Sequence, residues 1–287
     1  MAEYQDIRFP GADGRLTLYA RDYAAAGGGA DRPALVLMHG LTRNSADFTD
    51  LSDRLAGRFR LVVPDQRGRG RSDRDADPAN YALPMLCADT LGLIARLGLD
   101  RPVLIGTSMG GLMAMGMAAA NPAGFRGLVL NDVGPVVEAE GLARIASYAG
   151  RVEAITSWDD AADYARRING QAFPHYDHAR WLAFARRTFR EEKGQLVLNY
   201  DPAIASASAA PGAPAADLWP VWNMLAPLPI LAIRGETSDI LSAATLDAMG
   251  QSHPGLATCT VPGIGHAPML DEPEAVAAIE AFLGQIS

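Results

Sequence analysis

Val103-Leu104-Ile105-Gly106-Thr107-Ser108-Met109-Gly110-Gly111 is a short apolar run that breaks into Gly-Thr-Ser-Met-Gly and passes at once into an Ala/Met-rich stretch ending at Ala120. The run reads as a buried parallel strand and the stretch after it as a helix. A serine centred in Gly-x-Ser-x-Gly between a strand and a helix sits on a turn so tight that its backbone is strained, and the flanking glycines avoid Cβ clashes. Such a turn holds Oγ out at the carboxyl end of the sheet and aims helix N-terminal N–H groups at the same place. Ser108 is therefore the candidate nucleophile of a covalent acyl transfer.

The same rhythm continues on both sides. Two edge strands are expected around Tyr4–Phe9 and Arg15–Asp22, and Gly27-Gly28-Gly29 reads as a turn. Ala34–Met38, Arg60–Pro64 and Gly127–Asn131 read as further strands, with helices over Asp47–Ala56, Pro84–Leu97 and Gly110–Ala120, the last stopped by Asn121-Pro122. Leu228–Arg234 and Ala257–Val261 are the last strands, with helices near Ala243–Met249 and Glu272–Leu283. Strands alternating with helices predict an α/β fold, a mostly parallel sheet with helices on both faces.

Between Gly134 and Leu225 that rhythm is lost, and helical patterns without a convincing strand predict a helical cap. The expected division is a core of residues 1–133 and 226–287 with a cap of 134–225 inserted into it. All four tryptophans, Trp158, Trp181, Trp219 and Trp222, fall in the inserted segment. Trp158, Trp181 and Trp222 are candidates for lining a substrate pocket, against the alternative that they pack the cap's own small core. Ala203–Ala216 reads as a surface loop or hinge.

The 287 residues are 49% hydrophobic, enough for a sizeable core, and carry a formal charge of −8. That acidity argues against nucleic acid or an anionic membrane as partner. Met-Ala-Glu-Tyr-Gln-Asp at the start has no signal-peptide character, and no apolar run approaches the roughly 20 residues of a membrane span. With Cys87 and Cys259 as buried thiols, the expected location is the cytoplasm. The oligomeric state stays open, a homo-oligomer included.

A serine hydroxyl needs an adjacent base. Of five histidines, His266 in Pro262-Gly263-Ile264-Gly265-His266 follows the last strand, and parallel strands finish on one rim. His175 and His178 fall in the cap, and His253 in a loop beside Pro254. His39, at the end of the first parallel strand, is a weaker candidate that could touch substrate. A carboxylate must fix the imidazole tautomer. Asp239, after the Leu228–Arg234 strand, is the first choice. Asp132, at the end of the strand before the cap, is the alternative acid. Either completes the order Ser, Asp, His.

Taken together, the elbow, His39-Gly40, Asp65-Gln66-Arg67-Gly68-Arg69-Gly70-Arg71-Ser72, Asp239 and His266 resemble the α/β-hydrolase superfamily, serine-nucleophile branch, over nearly the whole chain. The resemblance implies an oxyanion hole made by the backbone N–H groups of Met109 and Leu41, and a structural role for the arginine-rich loop. No zinc spacing and no dinucleotide-binding or phosphate-binding glycine loop is present, so no cofactor and no metal is expected.

The expected function is hydrolysis of a carboxylic ester, lactone or related acyl compound through Ser108, Asp239 and His266, with a small-molecule acyl substrate that is largely apolar. A C–C bond hydrolase of β-diketone-type ring-cleavage products would use the same residues. A ligand-binding receptor or scaffold with little turnover is the alternative of another class.

Overall fold

The computed structural model describes residues 2–26, 32–151, 154–207 and 217–286. In chain order it contains β1 (Gln5–Pro10), β2 (Thr17–Tyr23), β3 (Leu35–Met38), α1 (Thr49–Leu55), β4 (Leu61–Asp65), α2 (Leu83–Arg96), β5 (Val103–Thr107), α3 (Met109–Ala120) and β6 (Gly127–Asn131). There follow α4 (Ala139–Tyr148), α5 (Trp158–Asn169), α6 (His178–Thr188), β7 (Phe189–Glu192), β8 (Gln195–Leu198), α7 (Trp219–Asn223), β9 (Ile230–Gly235), α8 (Ala243–Ser252), β10 (Leu256–Val261) and α9 (Pro273–Ile286). The main sheet has eight strands in the order β1-β2-β4-β3-β5-β6-β9-β10. β2 pairs antiparallel with both neighbours, and from β4 to β10 every pairing is parallel.

The apolar strands follow from burial on both faces. Leu35 and Leu37 of β3, Val103 and Ile105 of β5, and Leu231 and Ile233 of β9 pack into one core, with α1 and α9. The alternate residues Val36, Met38, Leu104, Ile230 and Ala232 pack into the other, with α2, α3 and α8. A strand covered on both sides has no polar face to show, so its sequence is continuous rather than alternating.

The 134–225 segment departs from expectation in two ways. It contains the antiparallel hairpin β7–β8, whose Phe189 and Leu198 are buried while Glu191, Glu192 and Gln195 are exposed. With four residues per strand and polar tips, this hairpin carries too weak a period-2 pattern to show in sequence. In addition, α7 packs on α3 beneath the sheet, with Trp222 in the core of that face. The helices α5 and α6 pack together and start on side-chain caps, Ser157 accepting from the Asp160 N–H and Asp177 from the Arg180 N–H. The Gly27–Gly29 turn and residues 208–216 of the expected loop lie outside the described residues, and Pro202–Ala207 form a 3-10 helix.

Arg67 anchors the loop after β4. Its side chain is fully buried, and it donates to Asp89 at 2.6 and 2.7 Å, to Asp75 at 2.8 Å and to Asp13 at 3.3 Å. These bonds tie β1–β2, the loop and α2 into one unit. Substituting one partner of such a buried cluster leaves charge behind without its full complement, so Asp89→Asn is expected to lower stability by about 3 kcal/mol. A fall in the urea midpoint without a change in m checks this.

Cys87 and Cys259 are free and half-buried, and burial pushes the Cys87 thiol up to about 11. No described helix is long and apolar enough to cross a membrane.

Candidate active site

Ser108 follows β5 directly and has φ 52° and ψ −113°, a conformation that L residues avoid. The elbow closes because Gly106 and Gly110 lack side chains. A Cβ at Gly106 would meet the Gly110 backbone at 2.3 Å, and one at Gly110 would meet the Met38 carbonyl oxygen at 2.0 Å. The turn is held by Ser108 N–H donating to the Asn131 carbonyl and Gly111 N–H donating to the Ser108 carbonyl, both at 2.9 Å.

His266, in the loop after β10, has its Nε2 2.9 Å from the Ser108 Oγ. On the other side of the ring, Nδ1 lies 2.8 Å from Oδ2 of Asp132. Asp132 is fully buried, so its carboxylate is shielded from water. A carboxylate can only accept, which requires the proton on Nδ1 and leaves Nε2 free to take the serine proton. The expected acid, Asp239, is not at the histidine. It forms a two-pronged pair with Arg144 of α4, whose Nη2 donates at 2.8 Å and whose Nε also donates.

Sheet order explains the difference. β6 lies between β5 and β9, so a residue at its end stands beside the serine. Asp239 lies four residues beyond the end of β9, and the turn there carries it out toward α4, where its carbonyl accepts from the Gly141 N–H at 3.1 Å. What that turn does return to the site is Ser238, whose hydroxyl donates to Oδ2 of Asp132 at 2.7 Å, while the Gly235 N–H donates to Oδ1 at 2.9 Å.

Asn131 adds a further brace. Its Nδ2 donates to Thr107 Oγ1 at 3.0 Å and to the Pro268 carbonyl at 2.8 Å, tying β5, β6 and the histidine loop together. Its place at a strand end beside Asp132 was the signal available in sequence. For Ser238 no pattern was available.

Met109 begins α3, so its N–H is one of those a helix leaves unpaired. Gly40 and Leu41 line the same cavity as Ser108 and His266. His39 is fully buried and is not among the residues that line the cavity. Its Nδ1–H donates to the Gly40 carbonyl at 2.8 Å and its Nε2 accepts from the Gln66 N–H at 3.0 Å. Those partners settle the tautomer, and burial lowers the pKa of the ring, keeping it neutral. His39 is thus a strut under the Gly40–Leu41 loop rather than a substrate contact.

The cavity over Ser108 has a volume of about 100 Å³. Its cap wall comes from Tyr148, Tyr164, Phe173, Phe184 and Tyr200. None of the three tryptophans proposed from sequence reaches it. Trp181 stacks among Phe173, Tyr176 and Phe184 behind the wall. Trp158 lies under Arg186, and Trp222 donates to Ser252 Oγ at 2.9 Å inside the core of the opposite face. Of the three indoles only Trp181 fills the bulk behind the wall, while smaller rings form its surface. The four-residue spacing of Tyr164 and Ile168 on α5 was the legible sign of that wall.

The cavity also has a charged edge that the expectation of an apolar site missed. Arg43 and Asp47 both line it, joined by bonds of 2.6 and 2.7 Å, and Arg43 lies over the Phe184 ring at 3.8 Å. No cluster of residues suited to a metal ion occurs among the described residues.

The family model of the alpha/beta hydrolase family matches residues 35–279. The chain is 33% identical to 3-hydroxybutyrate-oligomer hydrolase of Cupriavidus necator over 92% of its own length and 93% of that protein's. It is 31% identical to 2-(acetamidomethylene)succinate hydrolase of Mesorhizobium japonicum, covering 88% and 86%. Among solved structures, an alpha/beta hydrolase from Novosphingobium aromaticivorans superimposes with a TM-score of 0.93 at 44% identity, with both chains covered in full.

Proposed function

The chain belongs to the alpha/beta hydrolase family and is a hydrolase, and on that premise we propose that it cleaves carboxylic esters through an acyl-enzyme on Ser108. The observation that carries this is the unbroken relay Ser108–His266–Asp132, with bonds of 2.9 and 2.8 Å. Ser108 Oγ attacks the ester carbonyl while His266 Nε2 takes its proton. The carbonyl oxygen becomes an oxyanion facing the N–H groups of Leu41 and Met109. Such fixed dipoles in a dry site are worth about 3 kcal/mol each to the transition state. Collapse breaks the C–O bond to the leaving alkoxide, and His266 returns the proton to it. A water then attacks the acyl carbon, giving its proton to His266, and the acid leaves as Ser108 is reprotonated. Asp132 holds the imidazole in one tautomer throughout and balances its transient charge.

The cavity favours a short acyl group bearing oxygen over a bare alkyl chain. It is small beside the roughly 300–1,000 Å³ typical of sites for drug-sized ligands, and tyrosines, Thr188, Asn169 and the Arg43–Asp47 pair interrupt its apolar wall. The similarity to a hydrolase of 3-hydroxybutyrate oligomers makes a linear 3-hydroxybutyrate dimer a suitable substrate to try.

A fluorophosphonate is expected to add one phosphonyl group to the intact protein, mapped to the peptide containing Ser108, and the dimer is expected to be hydrolysed faster than an alkyl ester of the same length. Absence of an adduct overturns the serine mechanism. Turnover of a vinylogous 1,5-diketone without ester turnover would replace the ester by a C–C bond.

A further inference from the structure

The loop after β4 buries two arginines in opposite electrostatic situations. Arg67 has three carboxylates around it. Arg69 is 1% exposed, and among the described residues no carboxylate hydrogen-bonds or ion-pairs with its guanidinium; Asp201, whose carboxylate accepts from the Tyr81 hydroxyl, acts on it only at longer range. Its donors meet uncharged acceptors: Nε donates to the Leu41 carbonyl at 3.0 Å, Nη1 to the Arg67 carbonyl at 2.8 Å, and Nη2 approaches Met109 Sδ at 3.8 Å. The guanidinium also lies 5.4 Å from the Tyr81 ring centroid. Burial pulls its pKa down to about 10, which leaves it charged at neutral pH. An unpaired interior cation is costly to keep, and the same low dielectric strengthens its action on neighbouring charge. For a purely structural strut, the carboxylates given to Arg67 would be the cheaper arrangement.

The identity of the contacts is informative. Of all the residues in the site, Arg69 touches Leu41 and Met109, one by its carbonyl and the other by its sulfur. Their backbone N–H groups are the two that would face the oxyanion. We propose that Arg69 is a positioning residue of the oxyanion hole: it clamps Leu41 and Met109 in register and keeps a positive charge without a direct counter-ion behind the two backbone N–H groups. The proposal rests on the serine-hydrolase reading above. It predicts that Arg69 favours the tetrahedral anion over the neutral ester, and therefore supports kcat more than KM.

The test compares wild type with Arg69→Met and Arg69→Lys, using p-nitrophenyl acetate as substrate and phenylboronic acid as probe. The boronic acid forms a B–O bond with Ser108 Oγ, the serine proton passing to His266, and the adduct is a tetrahedral anion. Arg69→Met is expected to lower kcat roughly 100-fold, as removal of an oxyanion-hole donor does, with KM within about threefold, and to raise the boronate Ki in step with the fall in kcat. Its urea midpoint is expected to fall only modestly, because removing the buried cation offsets part of what the Leu41 and Arg67 carbonyls lose with their donor. Arg69→Lys keeps the charge but cannot span both contacts, so part of the loss is expected to return.

A kcat for Arg69→Met within about threefold of wild type overturns the proposal. A lowered midpoint with KM rising as much as kcat falls, and with the boronate Ki unchanged, also overturns it, since that is the behaviour of a strut. Should Arg69→Met not fold, Arg69→Lys decides by the same boronate comparison: a Ki rising with the loss of kcat supports the clamp, and an unchanged Ki rejects it. If Ser108→Ala retains activity, the serine-hydrolase reading itself fails. If Ser108→Ala is inactive while Arg69→Met is unaffected, only the clamp fails.

Discussion

Replacing Asp132 by asparagine is expected to lower kcat by on the order of 10⁴, the effect of the corresponding change in serine proteases, whereas Asp239→Asn should stay within about tenfold of wild type. The reason is the tautomer. Asp132 can only accept from His266, at 2.8 Å, so the ring proton sits on Nδ1 and the Nε2 lone pair points at Ser108. An asparagine can present its amide N–H₂ instead, which stabilises the opposite tautomer and places a proton where a base is needed. The geometry should otherwise hold, because the side-chain oxygen can still accept from the Gly235 N–H or the Ser238 hydroxyl. Asp239→Asn acts elsewhere. It weakens the pair with Arg144 that joins the loop after β9 to α4, so its effect should appear as a lower unfolding midpoint. Steady-state kcat and KM for both variants on one ester decide the matter, and a larger kcat loss at Asp239 than at Asp132 would reverse the assignment.

Ser108→Ala is expected to have the largest effect of all, a loss of roughly 10⁵- to 10⁶-fold in kcat with all fluorophosphonate labelling gone. The residual rate would come from the oxyanion hole and from binding alone, so Ser108→Ala combined with His266→Ala should be little worse than either single change. Stability offers a second readout. Ser108 is held at φ 52°, which costs an L residue about 1–2 kcal/mol. Alanine inherits that strain and glycine does not. Ser108→Gly should therefore be as inactive as Ser108→Ala but unfold at a higher urea concentration. Equal midpoints would mean that the strain is not stored at this residue.

The sheet was legible because its inner parallel strands β3, β4, β5, β6 and β9 are buried on both faces and are therefore almost continuously apolar. The elbow was legible because a serine flanked by Gly106 and Gly110 has a steric meaning that does not depend on distant residues: backbone atoms fill the space any Cβ there would need. His266 was legible because a histidine just beyond a parallel strand lies on the same rim as the elbow. The 134–225 segment was visible as a break in rhythm, but not its contents. The hairpin Phe189–Leu198 is too short to show a period, and a tryptophan in the segment carries no information about which way it faces. Trp222 belongs to the core of the far side, Trp158 lies under Arg186, and Trp181 stands behind Phe173 and Phe184.

From the sequence alone came the alternation of strands and helices and the candidate pair Ser108 and His266, since each depends on short-range sterics or on the shared polarity of parallel strands. Only the tertiary structure decided which carboxylate meets His266. Asp132 and Asp239 both follow strands, and both satisfy the chain order Ser, Asp, His. What separates them is that β6 lies beside β5, while the turn after β9 carries Asp239 away to Arg144. The two arginines of one loop were divided in the same way. Arg67 and Arg69 are two residues apart and chemically identical, but one side chain meets three aspartates and the other Leu41 and Met109. Strand neighbours and the direction of a buried side chain are set by contacts far apart in the chain, and no local pattern encodes them.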